Sequence, residues 1–260
     1  MKPKKSLGQH FLVDQNVLNK ICKLENLKNK NVIEIGPGTV NLSKLLALED
    51  PDKLTLIEKD RRLIKDLDSI KFKNKEIIIN DILDLNLENI IKPNTIIVGN
   101  LPYNISTQIL VKFIKFNNWP PNFKKLIFMF QKEVADRISS SCNDKDYGRI
   151  SILTNYRLKI INKFNVSKNC FYPKPKVDST ILVFEPIKKP KIRIKNLQNL
   201  EQLTNIFFSF RRKMIGKAFK KTFKNYSHVE KITNINLKRR PSELNENTYY
   251  SLAKILEELE

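Results

Sequence analysis

Short apolar runs alternate with amphipathic segments through the first two thirds of the chain. Residues 31–35, 54–57, 77–79, 96–98, 125–131, 151–166 and 180–184 are predicted to form strands. Helical spacing of apolar residues predicts helices at 13–28, 41–48, 60–70 and 106–116. Strands that alternate with helices indicate a parallel sheet covered on both faces. The first prediction is therefore an α/β fold.

A glycine or a polar residue follows each of the first four predicted strands. These residues are Gly36, Glu58, Asp81 and Asn100. Because ligands of open α/β sheets bind at the carboxyl ends of the strands, we expect the four to form one site.

The pattern changes near Pro186. From Pro186 to Arg240 the chain has sixteen Lys or Arg residues and only two acidic ones, and its apolar residues take helical spacing. This predicts two domains: an α/β domain at 1–186, and a small basic helical domain at 187–260.

Composition narrows the class of partner. The 260 residues include 48 Lys and Arg against 27 Asp and Glu, a formal net charge of +21, which favours a polyanion such as nucleic acid. Three widely spaced cysteines indicate reduced thiols and a cytoplasmic protein. With two histidines, no zinc or other metal site is expected. No apolar run is long enough to predict a membrane span.

The turn after the first of these strands, Glu34-Ile35-Gly36-Pro37-Gly38, lets the backbone approach a ligand closely. It lacks the third glycine of a dinucleotide fingerprint and the Gly-Lys-Ser/Thr of a phosphate loop. An acidic residue without a phosphate grip suits a cationic ligand such as S-adenosyl-L-methionine. Glu58 is placed to accept hydrogen bonds from ribose hydroxyls, and Asp81 from an adenine amino group. The alternatives are a surface glutamate at Glu58 and a helix cap at Asp81.

The segment Asn100-Leu101-Pro102-Tyr103 carries the most specific chemistry. An exocyclic amine is a poor nucleophile because its lone pair is delocalised into the ring. The Asn100 side-chain carbonyl and the Leu101 backbone carbonyl are expected to accept both amine hydrogens and expose that lone pair. Pro102 stiffens the loop, and the ring of Tyr103 offers a face for base stacking. These residues predict methylation of an amino group on a nucleic-acid base.

A second aromatic loop runs from Phe171 to Val177 and contains Pro173 and Pro175. Phe171 is predicted to close the other side of the base, which must then be unstacked or single-stranded. The alternative is a rigid connection with a buried Phe171.

Several segments in order resemble the ribosomal RNA adenine N6,N6-dimethyltransferases of the KsgA type, which act on the small subunit. They are Lys5-Ser-Leu-Gly-Gln-His-Phe-Leu12, Glu34-Ile-Gly-Pro-Gly38, Ile57-Glu-Lys-Asp60, Asn80-Asp-Ile82, Gly99-Asn-Leu-Pro-Tyr-Asn-Ile-Ser106, Gln131-Lys-Glu-Val134, Tyr147-Gly-Arg149 and Pro173-Lys-Pro-Lys-Val-Asp-Ser179. The resemblance implies a Rossmann-like S-adenosylmethionine-dependent methyltransferase domain followed by a small C-terminal helical domain.

The resemblance also implies roles for particular residues. His10, Leu12, Gly36, Glu58, Asp81 and Asn100 are implied to bind the cofactor, and Tyr103 and Phe171 to sandwich the target adenine. The implied reaction is dimethylation of two adjacent adenosines near the 3′ end of 16S ribosomal RNA, by a monomer that binds the 30S subunit and takes part in its biogenesis.

Two departures and two alternatives accompany this resemblance. The family commonly has Gly where Val40 stands, which bears on cofactor affinity, and Asn is also frequent at the position of His10. The alternative enzyme is a 23S ribosomal RNA adenine dimethyltransferase of the macrolide-resistance type. The alternative of another class is a non-catalytic RNA-binding assembly factor, or a transcription factor, on the same fold.

Overall fold

The computed structural model of the protein describes residues 8–259, so the first three residues of the segment Lys5–Leu12 lie outside it. The strands are β1 (Phe11–Leu12), β2 (Asn31–Ile35), β3 (Lys53–Glu58), β4 (Lys75–Ile79), β5 (Thr95–Asn100), β6 (Phe123–Gln131), β7 (Leu158–Val166), β8 (Phe171–Tyr172) and β9 (Ser179–Pro186). The helices are α1 (Gln15–Cys22), α2 (Asn41–Leu48), α3 (Ile64–Asp68), α4 (Leu87–Ile90), α5 (Ser106–Ile114), α6 (Lys132–Ile138), α7 (Arg149–Arg157), α8 (Leu197–Phe208), α9 (Gly216–Thr222), α10 (Tyr226–Thr233) and α11 (Glu246–Leu259).

A seven-stranded sheet in the order β4-β3-β2-β5-β6-β9-β7 forms the centre of the α/β fold. The strands from β4 to β6 pair in parallel, and β9 pairs with β6 antiparallel. The strand order reverses at β2, which is the topological switch point at which Rossmann-like folds bind ligands. The predicted Rossmann-like fold is confirmed, and the switch point lies between β2 and β5.

The central strands are buried because both faces of the sheet are covered. Residues Val32 to Ile35 of β2 are all buried, as are Thr95 to Gly99 of β5. Their near-continuous apolar sequence is what a strand buried on both faces requires. A two-stranded antiparallel pair, β1 with β8, lies outside this sheet and aligns Leu12 with Phe171.

One predicted strand was wrong in part. The sequence pattern placed sheet at residues 151–166, but Arg149–Arg157 form helix α7 and the strand begins at Leu158. The β-branched residues of this segment favour a strand locally. Tertiary packing overrides that preference: the Tyr250 hydroxyl donates to the carbonyl of Ile152, and Tyr156 is buried.

The chain forms two compact units. The first contains the described residues up to Ala135 together with Ile160–Pro186, and the second contains Asp136–Lys159 together with the chain from Ile187 onward. The chain passes between the units after Ala135, Lys159 and Pro186, so Asp136–Lys159 group with the C-terminal segment. The division into domains at 1–186 and 187–260 stays a prediction. Within the second unit the Tyr156 hydroxyl accepts a hydrogen bond from the Ile194 amide at 2.8 Å, which ties α7 to that segment.

Within residues 8–259, each helix is too short or too polar to cross a membrane.

Candidate active site

A cleft in the first unit lies at the carboxyl ends of β2 to β5. Its empty volume, including the part open to solvent, is ≈ 950 Å³. Its lining residues are Gly8, Gln9, His10, Phe11, Ile35, Gly36, Gly38, Ile57, Glu58, Lys59, Asn80, Asp81, Ile82, Asn100, Leu101, Pro102, Tyr103, Asn104 and Ile105. The four strand-end residues expected to form one site, Gly36, Glu58, Asp81 and Asn100, are all among them.

The turn between β2 and α2 forms one wall of the cleft. Gly38 has φ +57°, and a Cβ there would lie 2.8 Å from the Phe11 ring, so only glycine fits. Val40, two residues later, also has positive φ (59°) and is buried. A β-branched residue is strained in that conformation, so the turn carries a cost at the one position where this sequence departs from the glycine of the resemblance.

Glu58 ends β3 and braces this turn. Its carboxylate accepts hydrogen bonds from the Gly38 amide at 3.3 Å and from the Asp60 amide at 2.8 Å. Burial raises the pKa of Glu58, and these amides oppose the rise. Each carboxylate oxygen has a second lone pair, so Glu58 retains capacity to accept hydrogen bonds from a ligand in the cleft. The surface-residue alternative is wrong, because Glu58 is only 7% exposed.

Glu34, in β2, is a buried acid beneath the glycine turn. Its Oε2 atom has no hydrogen-bond partner within the described part of the chain. Burial, assisted by the nearby Glu58 carboxylate, raises the pKa of Glu34 to about 8. With this pKa the Glu34 carboxyl is mostly protonated near neutral pH, so it adds a buried polar group beneath the turn and little charge.

Asp81 follows β4 and is held by two contacts. Its Oδ1 accepts from the Leu83 amide at 2.9 Å, and its Oδ2 accepts from the Lys59 ammonium at 2.6 Å. Burial disfavours ionisation of Asp81, but the Lys59 ammonium outweighs it and lowers the pKa. Asp81 is therefore an ionised acceptor in the cleft. The alternative of a helix cap at Asp81 is wrong, because the segment after Asp81 is a turn.

Asn100 ends β5 and begins the loop that continues through Tyr103. Its side-chain NH₂ donates to the backbone carbonyl of His10 at 2.8 Å, which fixes the orientation of the amide. Leu101 is buried, whereas Pro102 and Tyr103 are partly exposed at the cleft. An amide oxygen and a backbone carbonyl on one loop are the acceptors that an amino group requires.

Tyr103 is anchored at its hydroxyl and covered at its ring. The hydroxyl shares a 2.6 Å hydrogen bond with the buried Ser179 Oγ at the start of β9. The ring of His10 stacks on that of Tyr103, with centroids 5.5 Å apart and 25° between the planes. Burial raises the pKa of the Tyr103 phenol, so the ring is neutral.

Two predicted site residues lie elsewhere. Phe171 is 4% exposed and belongs to the hydrophobic core, as the alternative of a buried Phe171 anticipated. Leu12 is also in this core, and its carbonyl accepts a hydrogen bond from the Asn41 side chain at 2.9 Å. Neither residue lines the cleft. Their pairing in the β1–β8 ribbon directs both side chains inward.

Sequence reasoning missed several lining residues. Lys59, next to Glu58, received no role, although it pairs with Asp81. Gln9 and Asn104 are polar residues that the motifs contained without assigning them a role. Only the fold shows that the segment around Gln9 reaches the loop around Asn104. Within residues 8–259 we find no cluster of His, Cys, Asp and Glu that is suited to a metal ion.

The chain matches a family model described as ribosomal RNA adenine dimethylase over residues 1–258. The chain belongs to this family. Among curated relatives, the Ribosomal RNA small subunit methyltransferase A of Pelagibacter ubique (strain HTCC1062) is 44% identical over 100% of this chain and 98% of that protein. A protein of the same name from Wolbachia sp. subsp. Drosophila simulans (strain wRi) is 37% identical over 99% of this chain and 94% of that protein.

Solved structures agree with this family assignment. A dimethyladenosine transferase from Plasmodium falciparum superposes with a TM-score of 0.76 at 27% identity, covering 93% of this chain and 95% of that one. The 23S rRNA methyltransferase ErmE superposes with a TM-score of 0.66 at 22% identity, covering 95% and 99%, which supports the fold alone. The chain is therefore an enzyme of this family, and its cleft lies at the switch point of the fold.

Proposed function

We propose that this chain dimethylates N6 of two adjacent adenosines near the 3′ end of 16S ribosomal RNA, acting on the 30S subunit during its biogenesis. The observation that carries the proposal is the loop Asn100–Tyr103 in the same cleft as the carboxylates of Glu58 and Asp81. The chain matches curated small-subunit methyltransferases over nearly their whole length, which supports the small subunit as the substrate.

S-adenosyl-L-methionine fits the hydrogen-bond acceptors that line the cleft. Glu58 is placed to accept from ribose hydroxyls, Asp81 from the adenine amino group, and the backbone at Gly36 borders the amino-acid end. We propose His10 as a further cofactor contact. Leu12 contributes indirectly, because its burial in the core fixes the position of β1. The cofactor supplies an electrophilic methyl group carried on a sulfonium.

The catalytic loop activates the acceptor amine. The Asn100 Oδ1 and the Leu101 carbonyl accept the two N6 hydrogens, which localises the N6 lone pair for attack on the methyl carbon. With S-adenosyl-L-methionine bound, these two acceptors would hold N6 in position to receive the methyl group as the thioether leaves, and one N6 proton would pass to solvent. No nucleophilic side chain is needed, so the contribution of the loop is position and electrostatics. Pro102 restricts the backbone conformation of the loop, and the base stacks on the ring of Tyr103.

We propose a division of labour between residues 1–186, which carry the chemistry, and 187–260, which dock the RNA. The second segment presents exposed cations that suit phosphate contacts: Lys188, Lys189, Arg211, Arg212, Lys213, Lys220, Lys221, Lys238, Arg239 and Arg240. Phosphate contacts position the enzyme, while the cleft selects the base. We propose that the enzyme is a monomer and acts on the ribosomal subunit in the cytoplasm.

A labelled methyl-transfer assay with unmethylated 30S and 50S particles tests the substrate. We expect label in the 30S particle, recovered as N6,N6-dimethyladenosine. Label in the 50S particle alone would overturn the proposal in favour of the 23S-type enzyme. Label in neither particle, with retained RNA binding, would favour the assembly factor.

The variant Asn100→Ala tests the loop itself. Removing the amide acceptor should lower kcat by roughly 10²-fold, the scale seen when one preorganised hydrogen-bonding group is lost. Asn205→Ala, an exposed asparagine of α8, is the matched control and should keep full activity. Equal activity of Asn100→Ala and Asn205→Ala would remove the loop from the mechanism.

A further inference from the structure

The aromatic partner of Tyr103 is His10. The two rings stack with centroids 5.5 Å apart, whereas Phe171 is buried in the core. Both His10 and Tyr103 line the cleft. One face of the Tyr103 ring is therefore in contact with an imidazole in the RNA-free protein.

His10 is also tied to the opposite wall. Its Nδ1 lies 2.8 Å from the carbonyl oxygen of Pro173, in the loop that follows Phe171. A carbonyl only accepts, so Nδ1 is the protonated nitrogen. The imidazole thus contacts both the catalytic loop and the segment that follows Phe171.

The backbone around His10 lies close against the catalytic loop. Gly8 has φ +61°, and a Cβ there would be 3.2 Å from the Asn104 Oδ1 and 3.9 Å from the Tyr103 amide nitrogen. The Gln9 side chain donates to Asp60 at 3.2 Å. Gln9 is therefore held by a hydrogen bond, and Gly8 lies close to the catalytic loop.

The His10 and Tyr103 rings leave no space for a base between them. Stacked bases repeat at about 3.4 Å, so a base between two rings separates their centroids by about 6.8 Å. The separation of 5.5 Å between His10 and Tyr103 is smaller. A base that stacks on this face must displace the imidazole.

We propose that the His10 imidazole occupies the adenine slot in the RNA-free enzyme and that the target adenine replaces it on Tyr103. This inference rests on the proposed function. The slot is preformed by a ring similar in shape to the five-membered half of a purine, and a base must compete with it. The apparent RNA affinity is then reduced by the fraction of molecules in which His10 covers the slot.

Proton NMR of the RNA-free protein tests the resting contact. The chain has two histidines, His10 and the exposed His228, so two sets of imidazole signals are expected, and His228→Asn assigns them. Ring current from Tyr103 should shift the His10 signals upfield, and Tyr103→Leu should abolish that shift. Identical His10 signals in the wild-type and Tyr103→Leu proteins would overturn the proposal.

Binding of an RNA hairpin with two adjacent loop adenines, measured without cofactor, tests the replacement. His10→Asn retains a hydrogen-bond donor but has no aromatic face, and it should bind the hairpin about three- to tenfold more tightly than wild type, since one ring stack no longer competes. In a Tyr103→Leu background the same substitution should have no effect. His228→Asn is the matched control.

Unchanged or weaker binding by His10→Asn would overturn the proposal, as would an equal gain in the Tyr103→Leu background. The methyl-transfer assay on 30S and 50S particles reports on the proposed function separately. If the wild-type enzyme labelled neither particle, the proposed function would fail, while the NMR comparison would still show where the imidazole lies.

Discussion

The hydrogen bond between the Tyr103 hydroxyl and Ser179 Oγ allows the position of the stacking ring to be tested apart from the stacking itself. The two oxygens are 2.6 Å apart, and Ser179 is fully buried at the start of β9. Tyr103→Phe removes the hydroxyl but keeps the ring, whereas Tyr103→Ala removes both. Ser179→Ala removes the partner from the other side.

The burial of each partner sets the expected magnitudes. Tyr103→Phe leaves the Ser179 hydroxyl buried without its partner, which costs about 1–3 kcal/mol of unfolding free energy. Ser179→Ala should cost less, about 0.5–1.5 kcal/mol, because Tyr103 is only partly buried. The double variant replaces both polar groups with apolar ones, so its cost should be about 1 kcal/mol below the sum of the single costs.

Urea denaturation of the four proteins measures this coupling. In the methyl-transfer assay Tyr103→Phe should lose at most about tenfold in kcat/KM. Tyr103→Ala should lose roughly 5- to 150-fold, because base stacking is worth about 1–3 kcal/mol. Strictly additive free energies would refute the hydrogen bond. A loss in Tyr103→Phe as large as in Tyr103→Ala would refute the assignment of Tyr103 as a stacking ring.

Three further predictions concern the turn, the buried acid and the basic surface. Val40→Gly should be at least as stable as Val40→Ala in urea denaturation, against the usual order, because only Gly relieves the positive φ; a clear loss relative to Ala would contradict the strain. Folding raises the pKa of Glu34 from 4.5 to about 8. Between pH 4.5 and about 8 the folded state therefore keeps a proton that the unfolded state has lost, so the free energy of unfolding falls as the pH rises through this range. Glu34→Gln should flatten that fall, and parallel pH profiles would argue against a buried acid. Reversing the charges of Arg211 and Arg212 to Glu should weaken 30S binding and reduce its salt dependence while S-adenosylhomocysteine binding is kept; equal loss of both would indicate misfolding.

The sequence by itself determined the sheet and its ligand-binding edge. The apolar runs of β2, β3, β4 and β5 are bounded sharply enough to be assigned without a structure. Those of β2, β3 and β5 are near-continuous because these strands are buried on both faces. The polar residue after each strand then marked the site, since parallel strands end at one edge. The gathering of Gly36, Glu58, Asp81 and Asn100 in one cleft follows from that local pattern.

Local patterns were insufficient where packing between distant segments decides the outcome. The β-branched residues of 151–157 favour a strand, yet they form α7 because Ile152 and Tyr156 bond to residues about 40 or more positions away. Phe171 was predicted to line the slot. It is buried because its pairing with Leu12 in the β1–β8 ribbon turns it into the core.

Only the tertiary structure shows that His10 stacks on Tyr103. His10 and Pro173 are separated by 163 positions, and no periodicity or motif spacing connects them. Their contact exists because β1 pairs with β8, which brings the neighbouring His10 close to Pro173. The sequence determined which residues have the required chemistry, and long-range backbone pairing decided which of them meet, because that pairing depends on closing loops that no local window contains.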